Sequence, residues 1–192
     1  ASDRSNFGGV TGLTQAESNY AFLVGCYALC NGRVEIEPKN GTDYTANAGG
    51  IAGTLANSTI AGCTVKAKNI YGHNASSPSL IGVSGIAAYV VGVSSVSDCK
   101  AYATLIRNST VLGTEDASVT PDNLFGMGMI VGIDAGTPTV TNCGVGGSFY
   151  LGASDEPQEL ILTLDADSYA KGIIGSGKTA TVGGCYYWNG EE

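Results

Sequence analysis

The chain has 192 residues, with 17 Asp and Glu against 9 Lys and Arg, for a net charge of −8. That balance argues against nucleic acid as a partner, since nucleic-acid binding rests on Lys and Arg neutralising phosphates, and against electrostatic docking on anionic membranes. Glycine contributes 29 residues and proline 5, so the chain is turn-rich without being low-complexity, and it is long enough for one domain (1–192) with a continuous core.

No apolar run approaches the ~18 residues a membrane-spanning helix needs. The chain starts ASDRSNF, with no initiator Met and no signal peptide. Such a polar start suits a processed secreted protein or a piece cut from a longer one.

Residues 1–48 are the least regular and read as an irregular first coil or cap. Thr14 and Glu17 fit a capping box, with Ala16, Tyr20 and Leu23 at helical spacing and Gly25 as a stop. A short N-terminal helical cap is one expectation here; the other is that Tyr20 to Val24 is another coil strand. A cap has a physical role, because an open solenoid end presents unpaired strand groups to other chains.

From Gly50 the chain repeats itself. GIAGTLANSTIAGCTVKAKNI (50–70) returns as GIAAYVVGVSSVSDCKAYATLI (85–106), MIVGIDAGTPTVTNCGVGGSFYL (129–151) and GIIGSGKTATVGGCYYW (172–188). A weaker first copy starts at Gly9-Val10-Thr11-Gly12 and finishes with CNGRVEIE from Cys30. This aligns Cys30, Cys63, Cys99, Cys143 and Cys185, at spacings of 33, 36, 44 and 42. A constant core with unequal spacing means loops of varying length on a repeated scaffold, and periods of this size mark solenoids, propellers or arrays.

After each cysteine the pattern has period two. Val65 and Ala67 alternate with Thr64, Lys66 and Lys68; Ala101 and Ala103 alternate with Lys100, Tyr102 and Thr104; Val34 and Ile36 alternate with Arg33 and Glu35. That is a half-buried strand with one wet face. Its buried positions are small, as a tightly wound coil requires. The expected fold is all-β: a right-handed parallel β-helix (β-solenoid) of about four to five coils, with about three strands per turn.

Five of the six cysteines fall at one repeat position, so they should form an interior ladder. Parallel neighbours stand about 4.8 Å apart, whereas disulfide Cβ atoms want about 3.8 Å; buried free thiols behave as ordinary core residues. Bridges between some coils, or between Cys26 and Cys30, are the other reading. A linear stack does not converge into a zinc tetrahedron, and no C-x-x-C is present.

The segments 38–47, 71–84, 107–124 and 152–168 are turn-rich loops, the last holding one apolar strand at Leu160–Leu164. All leave after the alternating strand and should gather along one edge of the solenoid. Residues 172–179, GIIGSGKT, match the phosphate-loop pattern, but ATVGGCYYW follows where a helix is needed. The match is the repeat's own first turn. Asp155, Glu156, Glu159, Asp165 and Asp167 read as a solvated acidic loop, without the hinged loop and terminal Glu of a calcium hand. His73 is the only histidine and has no partner to infer. Sequons at Asn40, Asn57, Asn74 and Asn108 follow from turn chemistry in an Asn-, Ser- and Thr-rich chain. No catalytic residue, metal site or cofactor is implied.

Arg33, Lys66, Lys68, Lys100, Tyr102 and Trp188 are the candidate ligand-binding residues. They share outward parity on the strands after the cysteines, and Arg33, Lys66, Tyr102 and Trp188 all lie three residues past their aligned cysteine. A locally basic and aromatic face on an acidic protein suits an acidic glycan or a carboxylate-bearing partner. The plainer reading is solvated strand surface, with Tyr187 and Trp188 plugging the end of the stack.

GGIAG, SGIAA, MIVG and KGIIG, each followed 10 or 11 residues later by a cysteine that mostly follows Asn, Asp or Gly, resemble GLUG-motif repeats. The resemblance covers residues 49–188, with Ala88 replacing the second glycine of one copy. It implies an accessory segment of a bacterial secreted or cell-surface protein, outside any catalytic domain. The function it implies is a non-catalytic binding, adhesion or spacer module whose partner is an extracellular glycan or protein, with no membrane insertion of this domain. The alternative is a carbohydrate-binding or polysaccharide-cleaving β-helix protein.

Overall fold

The structure, a computed structural model, describes residues 4–15, 21–36, 45–74, 81–109, 120–122, 124, 126–152, 159–177 and 179–191. The chain passes through four sheets in a fixed order, again and again. The first pass is β1 (Arg4–Gly8), β2 (Thr11–Gln15), β3 (Ala21–Val24) and β4 (Tyr27–Ile36). The second is β5 (Thr45–Gly49), β6 (Ala52–Ala56), β7 (Ser58–Ala61) and β8 (Thr64–Asn74). The third is β9 (Ile81–Ser84), β10 (Ala87–Gly92), β11 (Ser95–Ser97) and β12 (Lys100–Ser109). Next come β13 (Met127–Gly128), β14 (Val131–Gly136), β15 (Thr139–Thr141) and β16 (Gly144–Gly152). The last elements are β17 (Glu159–Thr163), a 3-10 turn at Tyr169–Gly172, β18 (Ile174–Ser176), β19 (Thr181–Gly183) and β20 (Tyr186–Tyr187).

Strands four places apart in the chain pair with one another, giving sheets β1-β5-β9-β13, β2-β6-β10-β14-β18, β3-β7-β11-β15-β19 and β4-β8-β12-β16. Two elements share the outer edge of β16. β20 continues the parallel stack on Gly144 and Val145, and β17 adds antiparallel along Ser148–Leu151. The fold is therefore all-β and solenoid-like, built almost wholly from parallel ladders.

Four sheets replace the expected three strands per turn. The sheet that escapes the sequence pattern is the first one, β1-β5-β9-β13. Its strands are short and glycine-containing, and Asn47, Ala48, Gly82, Val83, Ser84, Met127 and Gly128 are all buried. Strands buried on both faces lose the alternation that marks a wet face.

The helical cap is also overturned. Thr14 lies in β2, and Ala21–Val24 is β3, paired residue for residue with Ser58–Ala61. The reading of this stretch as another coil strand holds. A helix of so few residues is marginal by itself, whereas β7 of the second pass offers a ready parallel ladder along the whole strand. Residues 16–20 lie outside the described residues.

The repeat register starts where the sequence places it. Thr11, Ala52, Ala87, Val131 and Ile174 stand in one column. Beside it Ile51, Ile86, Ile130 and Ile173 are all buried. Fully burying each such side chain stabilises by roughly 1.5–3 kcal/mol. On the third sheet Ile60, Val96 and Val140 form a second apolar column. On the fourth, small Val65, Ala101 and Val145 give way to larger Ile70, Leu105 and Phe149.

The first cysteine of the ladder is Cys26, not Cys30. Tyr27 pairs with Thr64, which sets Cys26 beside Cys63, while Cys30 pairs with Ala67. The residue before each aligned cysteine adopts a left-handed conformation: Gly25 at φ 66°, Gly62 at 62°, Asp98 at 54°, Asn142 at 55° and Gly184 at 65°. Only Gly, and at some cost Asn or Asp, visits that region routinely. This corner between the third and fourth sheets is why the cysteine follows Gly, Asp or Asn in every copy. Cys30, preceded by Leu29, lacks the corner residue.

Cys26, Cys63, Cys99, Cys143 and Cys185 are free thiols, the middle three buried. The Cys26 amide donates to Cys63 Sγ at 3.2 Å. Cys99 Sγ donates to the Ser97 carbonyl at 3.1 Å, and Cys143 Sγ to that of Thr141 at 3.3 Å. Hydrogen bonds to Cys143 and Cys63, reinforced by burial, hold the Cys99 thiol above its ordinary range. The Cys185 thiol is raised by its hydrogen bond to Cys143 and by burial.

The four strands that precede the long connections end at nearly the same level. Ile36 pairs with Gly72, Ser109 with Asn74, and Gly152 with Asn108. The expectation that the connecting loops gather along one edge falls on segments 37–44, 75–80, 110–119 and 153–158, which lie outside the described residues.

Candidate functional site

The outer face of the fourth sheet gathers most of the candidate residues. Lys66, Tyr102 and Gly146 are partners across β8, β12 and β16, and Thr64, Lys100, Gly144 and Tyr186 form the neighbouring column. Trp188 follows β20 and its amide donates to the Val145 carbonyl at 2.9 Å, which extends the first column by one level.

Gly146 has no side chain, and the Trp188 carbonyl and the Tyr102 ring use the gap. The Trp188 ring meets Tyr102 edge-on, with ring centroids 6.4 Å apart and planes at 83°. Lys66 Nζ stands 5.4 Å from the Trp188 ring centroid and Lys100 Nζ 5.5 Å. Two ammonium groups therefore share one indole, the best of the aromatic faces for a cation.

Residues 188–191 fold back over this face. Trp188 Nε1 donates to the Glu191 carbonyl, and a Cβ on Gly190 would stand 2.9 Å from Tyr102 Cγ. Trp188 is consequently only 7% exposed, whereas Tyr102 keeps 39%. The expected outward tryptophan is outward of the sheet but covered. It is the floor of the site, and Lys66, Lys100 and Tyr102 are its surface. Tyr186 is exposed on the same face, and partial burial of its phenol holds it above the ordinary range.

Lys68 and Arg33 do not join this cluster. Lys68 is exposed and sits where the β8–β12 register shifts, off the Lys66–Tyr102 column. Arg33 pairs with Asn69 beyond a bulge in β4, and the position equivalent to Lys66 is Leu29. The displacement of Arg33 follows directly from taking Cys30 for Cys26.

Gly144, Gly146 and Gly190 are the contributors that sequence reasoning missed. A Cβ on Gly144 would stand 2.9 Å from the Tyr186 ring and 3.1 Å from Trp188 Cβ. The legible signal was the pair of glycines at outward positions of β16, where the two preceding levels carry Thr64, Lys66, Lys100 and Tyr102.

Other motifs resolve into structure. β18 runs through the GIIGSGKT stretch and the strand β19 follows. Within it the Thr179 amide and hydroxyl both donate to Asp134 Oδ2, at 3.1 and 2.9 Å, so these donors already serve a carboxylate of the preceding level. Asp165 accepts from Ser168 Oγ at 2.7 Å and from the amides of Ser168 and Asp167 at 2.9 and 3.0 Å. The Ser168 hydroxyl and these amides hold its carboxyl below the usual range. Among the described residues no group of three or more His, Cys, Asp or Glu could hold a metal ion. Asn57 is a corner residue at φ 47°, and its Oδ1 accepts from the Val93 amide at 3.1 Å. The His73 side chain lies outside the described residues, as do Asp155 and Glu156. No helix among the described residues is long and apolar enough to cross a membrane.

No family model matches the chain, and neither a curated protein nor a solved structure matches it.

Proposed function

We propose that the chain is a non-catalytic binding module of a secreted or cell-surface protein. Its scaffold is read as a right-handed parallel β-helix of four full coils and a partial fifth. The hand follows from the rule that crossovers between parallel strands of one sheet are right-handed in about 98% of cases. The GLUG-like motifs support the surface setting, and their structural role is the same at every level: a buried isoleucine column followed by a left-handed corner and a thiol.

The observation that carries the binding role is the convergence of Lys66 and Lys100 on Trp188 beside exposed Tyr102. Cations and aromatic edges on a rigid, register-locked sheet are suited to holding a ligand. A glycan and matrix-protein array probed with the folded chain tests this. Saturable binding to one class is the expected result. A blank array with folded protein would contradict the binding role and leave a spacer.

A further inference from the structure

Lys66 and Lys100 present two like charges to one ring, and no described carboxylate pairs with either. Elsewhere among the described residues Lys171 pairs with Asp122 at 2.5 Å, so acidic residues do neutralise lysines where they stand close. The two site lysines are left with the sharable attraction of one indole face. An anion bridging them would gain two charge-assisted contacts.

Tyr102 adds shape to charge. Gly190 lies against one side of its ring, yet the ring remains 39% exposed, enough to pack on the apolar face of a sugar. Strand spacing sets the geometry: successive levels of the sheet stand about 4.8 Å apart, so Lys66 and Lys100 offer their charges from adjacent levels of one flat face. An extended polymer bearing repeated anionic groups fits such a face better than a compact ion does. The chain's net charge of −8 opposes a polyanion at long range, but that repulsion is screened beyond about 8 Å at physiological ionic strength. The local pair then decides.

We infer that this face binds an acidic polysaccharide, with its carboxylate or sulfate groups held between Lys66 and Lys100 and a sugar ring against Tyr102. The inference rests on the binding-module reading and names its ligand class. Trp188 acts as a positioning residue, because it is covered and fixes the lysines from beneath.

The test is titration of the folded chain with polygalacturonate, chondroitin sulfate and neutral galactan, beside the Lys66→Met/Lys100→Met variant. Methionine keeps an apolar stem on the indole and removes the charge, so an unchanged melting temperature and retained protection of Trp188 from acrylamide should report an intact face. Saturable binding to the carboxylated or the sulfated polymer, weakened roughly tenfold or more in the variant, is the expected result; which polymer binds identifies the anion. Equal binding of galactan, or binding that survives in the variant, would overturn the site. Failure of both acidic polymers would overturn the ligand class, and a positive array with another ligand would then leave the binding module standing.

Discussion

Trp188 lies over Gly146 on the outer face of the fourth sheet, its carbonyl occupying the space a Cβ on that glycine would need. The last residues of the chain are thereby packed onto a strand two levels from Lys66, and the site exists only because β16 is bare at that point. Gly146→Ala should lift the 188–191 segment while leaving the stacked core intact. Trp188 is the only tryptophan, so its emission should shift to the red and become quenchable by acrylamide, with little change in global unfolding. An unshifted, protected tryptophan in that variant would mean that Trp188 is not seated on Gly146.

The left-handed corner makes a second prediction. Gly62 has φ 62°, and the nearest neighbour to an added Cβ is 3.8 Å away, so Gly62→Ala carries a conformational cost and no clash. A loss of roughly 1–2 kcal/mol is expected from the denaturant midpoint. Asn142→Gly at the equivalent corner should be tolerated far better than Asn142→Val. Similar stabilities for those two variants would remove the corner as the reason for the residue choice.

The Cys99 rung of the thiol ladder gives a pH dependence with a definite sign, whereas hydrogen bonds from neighbouring rungs lower Cys63 to about 6 and Cys143 to about 4, which act in the opposite sense. Cys99 is raised above its ordinary 9.0 by hydrogen bonds to its neighbours and by burial. A group whose folded pKa lies above its unfolded value contributes its full stability below the unfolded pKa and loses it as pH climbs toward the folded one. The Cys99 contribution should therefore hold through neutral pH and be lost as pH rises beyond 9, so the melting temperature should fall more steeply there than that of Cys99→Ala. In the native state Cys63, Cys99 and Cys143 should resist thiol reagents, and in denaturant without reductant most of the six cysteines should react. If nearly none reacted, the ladder would be bridged.

Much of this architecture was readable before any coordinates, because a wet-faced strand advertises itself by alternation. Lys66-Ala67 and Tyr102-Ala103 revealed the fourth sheet, and the Gly-Ile-Ala-Gly starts set the register of the second. The first sheet stayed hidden because Asn47, Ala48 and Val83 face no solvent and so carry no period-two signal. Cys30 misled for a different reason. Its sequence neighbours alternate as well as those of Cys26, and the legible signal that separates them was the preceding residue, Gly25 for the true rung and Leu29 for Cys30. The Lys66–Tyr102–Trp188 column was legible by counting from the cysteines, and Arg33 failed by the same count. That Trp188 would be covered was not legible, since it depends on Gly146 and Gly190, from different strands, meeting at one ring.

The sulfur positions test the account most directly, because one register fixes both the solenoid and the Lys66–Tyr102–Trp188 column. An anomalous difference map from crystals of the protein should show Cys26, Cys63, Cys99, Cys143 and Cys185 in a single row, successive peaks about 4.8 Å apart, with Cys30 off the row in the column of Ala67. A row that contained Cys30 in place of Cys26, or sulfurs scattered without a common line, would contradict it.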